Sequence, residues 1–181
     1  NLDELKAYTQ EHPGELDLAI DFGTMVNING LQMQQAGIDV NLITAGSASE
    51  RVAALAGGHS DIIINAYGSV KDYLATGEFV ALGTTGSQTA EGLGGIPTAK
   101  EQGYDITLDK HYFFAFPKDT DPEIVEKFAA AVEKASQDPA YQESIMTAYA
   151  QEPFYASPED GLALMEESKE IIWTFEEEMA G

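Results

Sequence analysis

Two rhythms of apolar positions run through this chain. In the first hundred residues, short continuous apolar runs alternate with segments whose apolar residues recur at helical spacing. Runs at residues 16–20, 40–44 and 61–65 read as strands. Ile62-Ile63-Ile64 is uninterrupted, as expected of a strand covered on both faces in a parallel sheet. A helix is expected from Asn1, an N-cap with Glu4 at the capping-box position and Leu2, Leu5 and Tyr8 on one face. His12-Pro13-Gly14 ends it. Gly23-Thr24 turns into a second helix that stops near Gly37. Gly46-Ser47-Ala48-Ser49 leads into a third, on which Val52, Leu55 and Ala56 share a face, and Gly57-Gly58 closes it. A helix over 69–75 and a strand over 79–85 complete an αβαβαβαβ order. That order argues for an α/β fold with a parallel or mostly parallel sheet and helices on both sides.

The second rhythm is helical. A Gly-, Ser- and Thr-rich loop spans 86–95, and a short helix with Pro in its first turn is expected at 97–102. Residues 104–116 look strand-like, with Ile106, Thr107, Tyr112, Phe113 and Phe114. The aromatics Tyr112, Phe113, Phe114 and Phe116 are expected to fill a lobe core. After Pro117, Asp121-Pro122, Asp138-Pro139 and Ser157-Pro158 each place a capping side chain before a Pro at the first helical position, which predicts three helices. Ile124, Phe128, Ala131, Val132 and Ala135 form one apolar stripe, and Leu162, Met165, Ile172, Phe175 and Met179 form another. Residues 1–107 therefore read as an α/β lobe and 108–181 as one extended segment plus amphipathic helices. Such helices need a further sheet to pack on, so the second lobe is expected to be incomplete. The start at Asn1 rather than Met suggests processing, truncation or cleavage upstream.

Charge narrows the partners. The 181 residues carry 31 acids against nine Lys and Arg, a formal net charge of −22. Nucleic acid and anionic lipid repel such a surface and are set aside as partners. No apolar run approaches the roughly 20 residues a membrane span needs, so direct membrane insertion is not expected. Without cysteine there is neither a disulfide nor a thiolate metal site. His12, His59 and His111 are far apart and lack metal-ligand spacing, and neither a nucleophile elbow nor a P-loop is present. The reading is therefore of a protein that is not an enzyme and uses no cofactor or metal.

Candidate chemistry sits at the strand ends. Gly23-Thr24 lies between a strand and a helix N-terminus, where unpaired N–H groups and the helix dipole favour an anion. Gly46-Ser47-Ala48-Ser49 offers the same arrangement at the next strand end. Two such termini at the C-terminal edge of a parallel sheet suit a carboxylate; the same residues also serve as ordinary capped turns. Asn65 and Tyr67 add an amide and a phenol at the third strand end. Arg51, the single Arg, can pair with a ligand carboxylate, but a surface pair with an acid such as Glu50 is the more economical expectation.

Several segments carry a family likeness: Leu2-Asp3-Glu4-Leu5 through His12-Pro13-Gly14, Gly23-Thr24, Ala53 to Asp61, and above all Ile96-Pro97-Thr98-Ala99-Lys100-Glu101-Gln102-Gly103-Tyr104. Phe114-Ala115-Phe116-Pro117 and Ile171-Ile172-Trp173 extend it nearly end to end. The chain resembles the extracytoplasmic solute receptors of tripartite tricarboxylate transporters, the Bug or TctC-like group. The resemblance implies a type II periplasmic-binding-protein-like fold. Residues 1–107 would be the second α/β lobe and 108–181 the returning part of the first, whose N-terminal half is not in this chain. It further implies capture of a small carboxylate and delivery to membrane transporter subunits. The setting implied is extracytoplasmic, in the periplasm or as a cell-surface lipoprotein. The ligand set it suggests is Gly23, Thr24, Asn27, Gly46, Ser47, Ala48, Asn65 and Tyr67. Three positions depart from the family: Thr44 to Ser47 replaces a Pro-Tyr-Lys-Gly-like turn, His111 replaces a Trp, and Asn65 replaces an Asp. A metabolite-sensing or partner-docking module of the same fold is the alternative. By itself the 181-residue chain is expected to bind poorly, and its exposed stripe of Ile124, Phe128 and Val132 to drive association.

Overall fold

The computed structural model describes residues 1–179. Three parallel strands form a sheet in the order β2-β1-β3: β1 Asp17–Ile20, β2 Asn41–Thr44 and β3 Ile62–Ile63. Leu18 of β1 is in register with Leu42 on one side and Ile62 on the other. Helices α1 Leu2–Glu11, α2 Met25–Gln35 and α3 Ala48–Ala56 alternate with the strands, and α4 Lys71–Thr76 follows. The expected capping box is present at Asn1 and Glu4, and a second one joins Ser47 to Glu50. Helix α3 stops at Gly57, and the left-handed residue after it is Gly58.

Leu18 and Ile38 have no exposed surface; Leu5, Ile20, Met33, Val40 and Ile106 close a core around them. Burying each such side chain contributes roughly 1.5–3 kcal/mol. Helix α2 comes down on the sheet at Gly30. A Cβ there would lie 2.7 Å from Leu42 Cδ2 and 3.2 Å from Leu18 Cδ2. A hydrogen has to occupy the position, although Gly weakens a helix interior. Gln102 ties distant parts together: its Oε1 accepts the Leu2 amide at 2.9 Å and its Nε2 donates to the Leu82 carbonyl at 3.0 Å. The Leu2 N–H, at the first turn of α1, has no partner inside the helix, so the Gln102 side chain satisfies it.

Several expected elements take other forms. The strand over 61–65 shortens to two residues, and the helix over 69–75 is a 3₁₀ turn at Tyr67–Ser69 followed by α4. The strand over 79–85 reduces to a single parallel bridge between Thr84 and Thr98. The helix over 97–102 is a run of turns, clasped where Glu101 Oε2 accepts the Thr98 amide at 2.9 Å. Residues 104–116 form no strand. Their β-branched and aromatic residues favour extended backbone, but a strand also needs a neighbour to complete its ladder, and the described residues provide none there.

The C-terminal part consists of α5 Pro122–Ser136, α6 Pro139–Tyr149, α7 Pro158–Trp173 and a short α8 Glu176–Met179, four helices where three were expected. The chain turns at Thr174 between the last two. Asp121, Asp138 and Ser157 cap the first three, each before a Pro. The far end of this part returns to the lobe: Phe175 is buried against Ile28 and Leu108, with Ile171, Ile172 and Met179 around them. The aromatics expected in a core are not buried. Tyr112, Phe113 and Phe114 are 77%, 64% and 70% exposed, and the Phe114 and Phe116 rings meet only Phe128 edge-on at 5.0 and 5.2 Å. No residue of α5 is buried. Both apolar stripes are real: the surface that would cover that of α5 is not among the described residues, and the other is covered at Phe175 but left open at Leu162 and Met165.

Candidate functional site

Parallel strands all end on one side, so the turns after β1, β2 and β3 lie together at the C-terminal edge of the sheet, with that of the central strand β1 between the others. Each candidate residue stands on one of these turns or in the first turn of the following helix: Gly23, Thr24 and Asn27 after β1, Gly46, Ser47 and Ala48 after β2, Asn65 and Tyr67 after β3.

The β1 turn leads into an open helix terminus. Gly23 adopts φ +75°, where an L side chain is strained, and no atom lies within 4 Å of the Cβ it lacks. Thr24 occupies the N-cap of α2 but makes no side-chain cap, because its Oγ1 donates to the Asp21 carbonyl at 2.6 Å. The amides of Met25 and Val26 have no acceptor among the described residues. Asn27, 2% exposed, accepts the Gly23 N–H through Oδ1 at 3.3 Å, and its Nδ2 has no partner among the described residues. An anion placed here would meet two or three donors and the positive end of a helix.

The β2 turn is different, because a carboxylate of the chain itself already occupies it. Glu50 Oε2 accepts the Ser47 amide at 2.8 Å and the Ser47 hydroxyl at 2.6 Å. These bonds hold the Glu50 carboxyl below its ordinary range, the Ser47 hydroxyl contributing most. Gly46 makes room for this cap. At φ +79°, the Cβ it lacks would lie 2.7 Å from that carboxylate oxygen.

Arg51 overturns the expectation of a surface pair with Glu50. It is 6% exposed, and among the described residues it is the one buried charged side chain. Its Nε donates to Asn65 Oδ1 at 2.9 Å and its Nη1 to the Gly46 carbonyl. Glu50 is turned to Ser47 instead, and the helix that carries both residues points Arg51 inward. Burial lowers the Arg51 pKa, and the Asp21 carboxylate opposes the shift; a guanidinium stays charged regardless. Asn65 is correspondingly committed: its Nδ2 donates to the Ala48 carbonyl at 2.9 Å and to Ser69 Oγ at 3.3 Å. Tyr67 opens the 3₁₀ turn next to it. The part played by Arg51 was hidden in the sequence, since a lone Arg amid acids reads as surface. The available signal was its place one turn into a helix that starts at a strand end.

A recess of about 300 Å³ lies between α2 and α7; Gln32, Lys100, Thr107 and Phe175 are among its lining residues, and none of the strand-end residues is. The described residues contain no group of three or more His, Cys, Asp or Glu placed to hold a metal, and no helix long and apolar enough to cross a membrane.

Comparison with known proteins places the fold. A profile described as the tripartite tricarboxylate transporter family receptor, TctC, matches residues 1–172. A protein of Cupriavidus necator, described as a UPF0065 protein in the gbd 5′ region, is 31% identical over 158 residues, covering 85% of this chain and 47% of its own length. A TctC solute-binding protein from Polaromonas, solved without ligand, superposes with a TM-score of 0.77 at 24% identity, over 96% of this chain and 62% of its own. The R. palustris protein Rpa4515, solved with adipate, gives 0.72 at 20% identity, over 98% and 59%. MatC of Rhodopseudomonas palustris, solved with bound malate, gives 0.67 at 21% identity, over 99% and 62%. The chain thus spans about half the length of the curated relative and about three-fifths of the solved ones. The fold is that of periplasmic binding proteins, and the family is one of solute-binding receptors rather than enzymes. The sequence, with its match across residues 1–172, belongs to the TctC family of tripartite tricarboxylate transporter receptors.

Proposed function

We propose that this chain is part of an extracytoplasmic receptor that captures a small carboxylate and hands it to the membrane subunits of a tripartite tricarboxylate-type transporter. The observation that carries the reading is the uncapped N-terminus of α2, where the Met25 and Val26 amides and Asn27 Nδ2 have no partners among the described residues, beside an open Gly23. Helix termini of this kind hold carboxylates without the help of a metal. Family membership supports the same reading, as do the adipate and malate in two solved relatives. In this proposal residues 1–107 form one lobe and 108–181 the returning part of the other. The exposed Phe113, Phe114, Ile124 and Phe128 pack on the remainder of that other lobe. Closure of the two lobes buries the acid, and transporter subunits recognise the closed form.

The test is calorimetric titration of the full-length protein with mono-, di- and tricarboxylates, adipate and malate among them. Saturable binding of at least one acid, weakened at least tenfold by Gly23→Val, is expected. The absence of heat and of any thermal shift across the panel refutes the proposal.

A further inference from the structure

We propose that Arg51 is a ligand-contacting residue of the strand-end site, supplying the positive charge that a bound carboxylate group meets; the assignment rests on the carboxylate reading above. Three observations place it there. Arg51 reaches from α3 to the turn after β2, through the Gly46 carbonyl, and to the turn after β3, through Asn65. Those strands flank β1, so a guanidinium bonded to both turns spans the end of the central strand, where Gly23 and Thr24 lead into α2. The head group is also oriented before any ligand arrives. Nε and Nη1 are committed to the chain, while Nη2 has no partner among the described residues and is not sealed from solvent. Finally, Arg51 makes no ion pair within 4.0 Å among the described residues, although the chain carries 31 acids. Asp21 acts on it only at longer range. A buried cation without a contact counter-ion is costly, and a carboxylate arriving at Nη2 would supply one through a charge-assisted bond.

Held this way, Arg51 completes what the α2 terminus begins. The amides of Met25 and Val26 offer partial charge, and Arg51 adds a full one from the two neighbouring turns. Such a site selects an ionised carboxylate over a neutral amide of the same shape, because only the anion compensates the guanidinium.

The experiment titrates the full-length protein, Arg51→Gln and Arg51→Lys with adipate, with malate and with adipamide as the uncharged counterpart of adipate. The wild type is expected to bind an acid and to reject the amide. Arg51→Gln should lose roughly 10- to 100-fold in acid affinity with little change toward the amide, so the preference between them collapses. Arg51→Lys keeps the charge but cannot donate to both Asn65 and Gly46. It should therefore bind the acid more weakly yet still prefer it, and it carries the test if Arg51→Gln does not fold. If Arg51→Gln binds the acid as wild type does, or weakens acid and amide equally, the assignment falls while the carboxylate reading stands. The same holds if Arg51→Lys loses its preference. A folded wild type that binds no acid of the panel above overturns the assignment together with that reading; one that binds another acid of the panel is tested in the same way with that acid and its amide.

Discussion

Gly30 and Leu18 should be energetically coupled, with a sign that the packing of α2 on the sheet dictates. Leu18→Ala removes a fully buried side chain from the central strand. That strand is laddered on both sides and cannot move to close the space, so the cost should be about 3–4 kcal/mol, within the usual range for buried leucines. Gly30→Ala alone adds a methyl group 2.7 Å from Leu42 Cδ2 and 3.2 Å from Leu18 Cδ2. Overpacking of that kind costs about 1–3 kcal/mol, and the better helix propensity of Ala returns about 1 kcal/mol, so a net loss of about 1 kcal/mol is expected. In the double variant the second contact disappears, and Leu42, in register with position 18, can turn into the vacated volume. The new methyl then fills part of the cavity instead of crowding it. Gly30→Ala should therefore become stabilising by about 1 kcal/mol in the Leu18→Ala background, a coupling of about 2 kcal/mol. Urea unfolding of the full-length wild type, both single variants and the double variant measures it directly, with m unchanged if only stability moves. Additive single changes, or a Gly30→Ala that stabilises the wild type, would refute the proposed close approach of α2 to the sheet.

Two further outcomes follow from the strand-end turns and the Thr98 clasp. Gly46→Ala should cost about 1–2 kcal/mol from the left-handed backbone alone, read as a lower urea midpoint. Gly46→Asn should cost less, and equal losses in the two would count against the backbone argument. The Glu50 and Glu101 carboxyls are both held below their ordinary range, by Ser47 in the first case and mainly by Thr89, then the Thr98 amide, in the second. Because these native values are depressed, their stabilising effect is fully present above the ordinary carboxylate range and is lost as pH falls through the lowered values. Thermal unfolding followed from pH 7 to acid should therefore show a steeper loss in the wild type than in Glu50→Gln and Glu101→Gln. Identical acid limbs would show that neither bond matters.

Features that depend on neighbouring residues were the most legible in the sequence. Caps announce themselves within four residues, so Asn1 with Glu4 and the three Pro-initiated helices stand where the pattern put them. Strands β1 and β2 were equally readable, because an apolar run between two helices has little choice but a place in a parallel sheet. The misreadings concern elements whose state depends on a partner elsewhere. Residues 79–85 and 104–116 have the composition of strands, but a ladder forms only where another chain segment presents its edge. The positions of Gly23, Thr24, Gly46 and Asn65 at the strand ends could be read from turn chemistry. That Glu50 already occupies the Ser47 donors, and that Arg51 is buried against Asn65, could not. Both follow from side-chain directions that a one-dimensional pattern does not carry.

The Gln102 clasp also bears on how the protein is made. Leu2 is synthesised 100 residues before Gln102, and Asp3 101 residues before its partner Tyr104. At roughly 5–20 residues per second, the first helix therefore waits about 5–20 s on the ribosome for the side chains that anchor its opening turn. Short helices are marginal until something packs against them. During that interval α1 depends on the early strands, or on a chaperone, for shelter. A pause in translation before Gln102 has left the ribosome would prolong this exposure, whereas one placed once Tyr104 has emerged would let the lobe lock before the helical half follows.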